Sequence, residues 1–183
     1  MYHDPILWSD MHQLTARRIE IRTGEEEVKY VQLFDAAFII SQEDDLGFNQ
    51  VKGRQVKAHF RDNDLWRIDV FGNGETLYYV REENGDLIGI NKALSSDIVI
   101  FIEGRQVTGI RFLTQPDAKL HPPGQLPEDE TRLRHFQWFD AIRPRSRHDI
   151  FTWELYHREA VPGLQPASPE DQRIQPGPLM FDR

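Results

Sequence analysis

The stretch Trp66-Arg67-Ile68-Asp69-Val70-Phe71-Gly72-Asn73-Gly74-Glu75-Thr76-Leu77-Tyr78-Tyr79-Val80 decides the fold. Trp66, Ile68 and Val70 share one side of an extended chain, and Arg67 and Asp69 take the other. A period of two is the pattern of a sheet with one apolar face. Gly72-Asn73-Gly74 interrupts it with residues that tolerate positive φ. Thr76 to Val80 then reads as a further strand. Upstream, Arg61-Asp62-Asn63-Asp64 is a polar hairpin turn, and Val51-Lys52-Gly53-Arg54-Gln55-Val56-Lys57-Ala58 is the strand that opens the unit.

The unit recurs on both sides. Leu14 to Ile21, the turn Thr23-Gly24-Glu25-Glu26 and Val28 to Phe34 form an earlier copy. Asn91-Lys92-Ala93 leading to Asp97-Ile98-Val99-Ile100, the turn Glu103-Gly104-Arg105 and Val107 to Leu113 form a later one. The small residues Ala16, Gly53 and Ala93 are 37 and 40 residues apart, and Phe34 and Phe71 are again 37 apart. Agreement between two motifs marks an internal repeat. Ala37 to Ile40 is an extra strand like Thr76 to Val80, and 42–47 and 81–86 are polar loops. Ile98, Ile100 and Ile102 share a face, as do Ile110 and Phe112. Helical period is absent from 14 to 112. The expectation is an all-β, open and elongated stack of repeated hairpins over 1–114.

The sequence changes character after Thr114. Residues 115–157 hold a proline-rich loop and then Glu128 to Phe139. There Pro127 and the acidic Glu128, Asp129 and Glu130 suit the start of a short helix. Leu133, Phe136 and Phe139 would line one side of that helix and cap the end of the stack. The tail, 158–183, is rich in Pro, Gln and charge and is expected to be disordered.

Composition narrows the function. The chain has 183 residues and a formal charge of −8. An acidic chain gains no counterion-release affinity for nucleic acid, which excludes it as a partner. With no cysteine there are no disulfides, thiolate nucleophiles or Cys-held zinc. No apolar run reaches the roughly 20 residues of a transmembrane helix. Met1 to Asp10 lacks the charged-then-apolar order of a signal peptide. The first repeat begins close behind it, which favours a chain lacking its own beginning.

Catalytic and metal patterns are weak. The seven histidines, at 3, 12, 59, 121, 135, 148 and 157, form no H-E-x-x-H or comparable pair. His135 and His148 with Asp140 or Asp149 read as surface groups. Asp62 and Asp64 flank a turn without the glycine and distant glutamate of a calcium loop, and Asp44 and Asp45 lie in a loop. No nucleophile elbow, phosphate loop or paired carboxylate stands out. No enzyme activity, cofactor or metal is expected.

Several stretches together resemble the OstA-like family of Bacteroidetes, relatives of the lipopolysaccharide-transport protein LptA and the N-terminal domain of LptD. They are Leu7-Trp8, Gln13 to Ile19, Asn49 to Arg54, Ile68 to Tyr79, Gly89 to Ala93 with Ser95-Ser96, and Arg143-Pro144-Arg145-Ser146-Arg147-His148-Asp149-Ile150-Phe151. The glycine–asparagine turn and the closing R-P-x-S-x-x-D-I-F stretch are the more specific. The resemblance implies a β-jellyroll or β-solenoid whose apolar groove holds lipid A acyl chains. It implies edge-strand pairing with LptC- or LptD-like modules and a periplasmic place associated with the outer membrane. It also suggests that this chain is a C-terminal portion.

Trp66, Ile68, Val70, Leu77, Tyr79, Ile98, Ile100, Ile102, Ile110 and Phe112 are the expected groove wall. Lys52, Arg54 and Lys57, with Arg61 and Arg67 behind them, are the expected phosphate contacts. The alternative is a scaffold that joins partners by edge strands and carries no lipid.

Overall fold

The short strands expected on either side of Gly72-Asn73-Gly74 are one strand. In the computed structural model, β6 runs unbroken as Asp64–Arg81. Residues 1–149 are described, apart from 10, 44–46, 63, 83, 105 and 147. The expected disordered tail, Ile150-Phe151, Arg147, Asp44, Asp45, Asn63 and Arg105 lie outside the described residues. Three other strands are as long: β4 (Val28–Glu43), β5 (Gly47–Arg61) and β7 (Leu87–Glu103). Five are short: β1 (Ile6–Ser9), β2 (His12–Thr15), β3 (Arg18–Thr23), β8 (Gln106–Phe112) and β9 (Asp117–His121). All pair antiparallel in one open sheet of order β1-β2-β4-β5-β6-β7-β8, with β3 also on β4 and β9 also on β7.

The long strands bend midway. Asp35 and Ala36 in β4, and Gly72 and Asn73 in β6, have φ between +52° and +74°. Pairing register shifts at these places, between Phe34 and Ala37, Lys52 and Gln55, and Phe71 and Gly74. The shifts lie side by side, so they form one bend line across the sheet, as bulges do when a sheet turns on itself. Side chains brace the line. Asp97 accepts the Gly72 N–H at 3.2 Å, and Ser95 Oγ donates toward the carbonyls of Thr114 (2.8 Å) and Asp97 (3.0 Å).

The bend makes two half-sheets. The first contains β3, β8 and residues 28–34, 55–61, 64–71 and 97–103. The second contains β1, β2, β9 and residues 37–43, 47–53, 74–81 and 87–95. Their inner faces share a core. Leu14, Ala37 and Ile39 from the second half pack in one buried cluster with Ile19, Leu33, Val56, Val70, Ile98 and Ile100 from the first. Each large aliphatic buried here is worth about 1.5–3 kcal/mol.

The helix expected over Glu128–Phe139 does not form. One 3-10 turn, Glu128–Glu130, is followed by non-helical chain. Gln50 explains this. Its side chain donates to the Thr131 carbonyl and accepts the Leu133 N–H, each at 2.8 Å. Two backbone groups that a helix would use are thereby bound to the sheet. Nor does this segment cap the end of the stack. Residues 122–138 run as a strap over the outer face of the second half. There Leu126, Leu133, Phe136 and Trp138 pack on Phe38, Ile40, Leu77, Tyr79 and Ile90. Gln13 fixes the strap's far end by donating to the Gln137 carbonyl at 2.8 Å.

Met1–Trp138 is one compact unit and Phe139–Arg183 a second. The described part of the second holds a 3-10 turn, Asp140–Ile142, and a capped loop. In that loop Asp149 accepts the Ser146 hydroxyl (2.8 Å) and the N–H groups of Arg145 (2.7 Å) and Ser146 (2.9 Å). These bonds, the Ser146 hydroxyl foremost, lower its carboxyl pKa.

At the bend, a Cβ on Gly53 would meet Val70 Cγ1 at 2.5 Å, whereas one on Gly109 meets nothing nearer than 3.8 Å. Gly53→Ala is therefore expected to destabilise by about 1–3 kcal/mol, and Gly109→Ala to stay within about 0.5 kcal/mol. Equilibrium urea unfolding of the two variants checks this.

Candidate functional site

The register places the inward residues of the first half-sheet in two rows. Ile19, Leu33, Val56, Val70, Ile98 and Phe112 are successive cross-strand partners nearest the bend. Ile21, Val31, Ala58, Ile68, Ile100 and Ile110 form the next row. Every member of both rows is apolar. The facing wall of the second half is mixed. Leu14, Ile39, Val51, Thr76, Ala93 and Ala118 form one row. Farther from the bend, His12 pairs with Ser41, Ser41 with Asn49, and Tyr78 with Asn91. His12 Nδ1 lies 2.6 Å from Ser41 Oγ, and Asn49 accepts the Tyr79 N–H at 2.8 Å.

The interior is filled from β4 to β7 and opens at both ends, at Ile21 of β3, which is 45% exposed, and at β8 and β9. Ile19, Leu33, Val56, Val70 and Ile98 are fully buried, whereas Ile102, Val107, Ile110 and Phe112 are half-buried, and Leu120 is 48% exposed. A cleft of about 240 Å³ lies here, lined by Tyr78, Val80, Asn91, Val107, Thr108, Gly109, Ile110 and Phe112. A dry 150 Å³ protein cavity already accepts benzene, so this space suffices for a short length of alkyl chain. Burial raises the Tyr78 pKa, with the Glu43 charge adding to it. A second hollow, about 440 Å³, lies at the opposite end beside Met1, Ile19, Glu20, Ile21, Arg22 and Tyr30.

Of the ten residues expected to line a groove, seven share this inner face: Ile68, Val70, Ile98, Ile100, Ile102, Ile110 and Phe112. Trp66 does not join them. Arg67 pairs with His59 and Leu65 with Phe60, which leaves Trp66 as the extra residue of a bulge. Leu65 takes the inward place, and Trp66 turns out beneath the Arg61 guanidinium, 4.9 Å from its ring centre. Leu77 and Tyr79 also face outward. The alternation of β6 keeps its phase through the bend, so Thr76 and Tyr78 face in, and Leu77 and Tyr79 are buried under the strap.

The five expected phosphate contacts lie outside the groove. Lys52 pairs with Glu75 at 2.6 Å, and Arg67 with Asp69 at 2.7 Å. Lys57 stands 4.0 Å above the Tyr30 ring, a cation–π contact. Arg54 lies across Gly72 at the bend. Asp69 is shared: its other oxygen is 2.8 Å from His59 Nε2.

Gln13, Gln50, Tyr78 and Asn91 carry no sequence signal that marks them as part of the site or its supports. The glutamines are almost fully buried polar side chains within strands. A polar residue between apolar ones reads as outward, and nothing local tells a strap-covered face from a wet one. Among the described residues, no three His, Asp or Glu side chains gather to hold a metal ion, and no helix is long and apolar enough to cross a membrane. Comparison with family models, curated proteins and solved structures gave no match.

Replacing Gln50 by Leu keeps its bulk and removes both bonds to the strap. The expected loss is about 2–3 kcal/mol. Hydrogen exchange is expected to speed up at amides 131–138 and to stay slow at Val56 and Val70.

Proposed function

We propose that the chain is a non-enzymatic lipopolysaccharide-binding module that carries lipid A acyl chains between its half-sheets toward the outer membrane. The observation that carries this reading is the pair of unbroken apolar rows on the first half-sheet, ending in a half-exposed cleft at β8. Alkyl burial on such a wall is worth roughly 0.8 kcal/mol per CH₂, so a chain is held without ionic contacts. The sequence resemblance to the OstA-like family supports the same reading. It extends it to a β-jellyroll, a periplasmic setting and partners of the LptC and LptD type. The outward cations leave the phosphates of lipid A outside the groove or on a neighbouring module.

A second reading is a scaffold that joins partners by edge strands. The observation favouring it is at β3, where Met1 and Ile19 exchange backbone hydrogen bonds of 2.8 and 3.0 Å. This pairing occupies the start of the β3 edge, while Glu20 to Thr23 run on beyond it. Strand addition at such an edge needs no groove.

A photo-crosslinking side chain at Ile110 or Phe112 is expected to capture lipid A, and the same group at outward Gln32 to capture none. Labelling only at Gln32, or at none of the three, would falsify lipid carriage. Ile110→Asp is expected to abolish lipid transfer. A variant that loses only stability while transfer persists points to the scaffold.

A further inference from the structure

The apolar contacts of the strap are all with the second half-sheet, which leaves the outer face of the first to its own side chains. Pairing register sets the outward residues there in three rows. They run from Arg18 to Asp97 nearest the bend, from Glu20 to Arg111 next, and from Arg22 to Gly109 beyond. The rows hold five cations, Arg18, Arg22, Lys57, Arg67 and Arg111, and three acids, Glu20, Asp69 and Asp97. Arg61 adds a sixth cation beside the bulge at Trp66. This face is therefore net positive on a chain whose formal charge is −8. Acids return past the third row, at the hairpin tips, where Asp64 and Glu103 are exposed.

All three acids of the rows are engaged. Glu20 pairs with Arg18 at 3.0 Å, Asp69 with Arg67 and His59, and Asp97 with the Gly72 N–H. Among the described residues, Arg22, Lys57, Arg61 and Arg111 form no ion pair. Rings lie beneath most of the cations. Arg18 stands over Phe34 at 4.1 Å, Lys57 over Tyr30 at 4.0 Å, Arg61 over Trp66 at 4.9 Å and Arg111 over Phe101 at 5.0 Å. A fifth ring, Phe71, is 43% exposed. A cation held by a ring rather than by an acid keeps its charge and its N–H donors for an external anion.

The rings also narrow the choice of partner. A nucleic-acid strand would be held by stacking on open ring faces, and four of these five rings have a face already occupied by a cation. An anionic bilayer asks for a different surface. Its potential attracts Lys and Arg, and aromatic rings settle at headgroup depth with long cationic side chains alongside. Six strands at a spacing of about 4.8 Å make the face roughly 24 Å across, so it can meet many headgroups at once.

We propose that the outer face of the first half-sheet docks on a membrane surface rich in anionic lipid, with Lys57, Arg61 and Arg111 meeting the headgroup phosphates. The docking face does not depend on what the groove carries, so its failure leaves lipid carriage as it stands.

The test is co-sedimentation of the full chain with lipid vesicles. Vesicles of mixed phosphatidylglycerol and phosphatidylcholine are expected to carry the protein down at low salt, and phosphatidylcholine alone to leave it in solution. Raising the ionic strength to about 0.5 M is expected to release it, because the charges are exposed. Lys57→Gln combined with Arg111→Gln is expected to weaken binding about twenty-fivefold, about fivefold for each cation. The same change at Lys119 and Arg134, exposed cations off this face, is expected to leave binding nearly unchanged. Circular dichroism checks that both double variants are folded. In the unaltered protein on anionic bicelles, a nitroxide at the lipid headgroup is expected to broaden the Trp66 indole resonance and not that of Trp138, which packs in the strap. That measurement needs no variant. Failure to bind anionic vesicles, equal binding to neutral ones, or binding that survives high salt overturns the docking face. Equal losses in the two double variants, or a Trp66 resonance that stays sharp, overturns it too. Tighter binding to a single-stranded oligonucleotide than to the vesicles overturns the membrane as its occupant.

Discussion

A sheet with an apolar face has to put that face against something, and among the described residues no separate layer receives the inner face. The first half-sheet presents two rows of aliphatic and aromatic side chains, from Ile19 to Phe112 and from Ile21 to Ile110. Their middle members, from Leu33 and Val31 to Ile98 and Ile100, are buried because the strands fold back on themselves. The fold therefore depends on one line of bends, where Asp35, Ala36, Gly72 and Asn73 adopt backbone angles that most residues avoid. Without that line the sheet would lie flat with its whole apolar face in water. The cleft follows from the same constraint. Each interior row is closed by the next strand, and among the described residues no strand pairs with β8 on the side away from β7.

The strap solves a second problem of the same kind. Phe38, Ile40, Leu77, Tyr79 and Ile90 are apolar on the outward side of the second half-sheet. Rings from the strap cover them: Phe136 packs 5.0 Å from Phe48, and Trp138 packs edge-on to Trp8 at 5.0 Å. Glu130 adds an ion pair with Lys92, and that bond lowers the Glu130 carboxyl pKa. The pair is exposed, so it orients the strap more than it stabilises it.

The strands and most of their turns were legible because period two and Gly, Asn and Asp clusters are local signals. Residues 24–27, 62, 82 and 84–86 lie between strands where the sequence reads as polar turns. Continuity through the bend was not legible, because Gly72-Asn73-Gly74 looks the same whether a strand ends or only turns. The bulge at Trp66 was hidden for a related reason: its extra residue is defined by the partner strand, not by its own neighbours. The outward placement of Leu77 and Tyr79 depends on a strap more than forty residues away in sequence. The strap reads as a helix because Pro127 and three acids suit a helix start, and the binding of Gln50 to residues 131 and 133 leaves no local trace. Within the candidate groove, the aliphatic wall was readable and the polar wall was not. Tyr78 and Asn91 differ from surface residues only in which way the register turns them.

The strap also divides the labour between the two walls. The second half-sheet is packed on both sides, between the shared interior and the cover of Leu126, Leu133 and Phe136. The first half-sheet is packed on its inner side, and its outer side carries Lys57 on Tyr30 and Arg111 on Phe101. One wall is thus a plate covered on two sides and the other a leaf covered on one, joined along the braced bend line. An outward apolar side chain on the plate is shielded by the strap, and one on the leaf is shielded only by the cations lying over it.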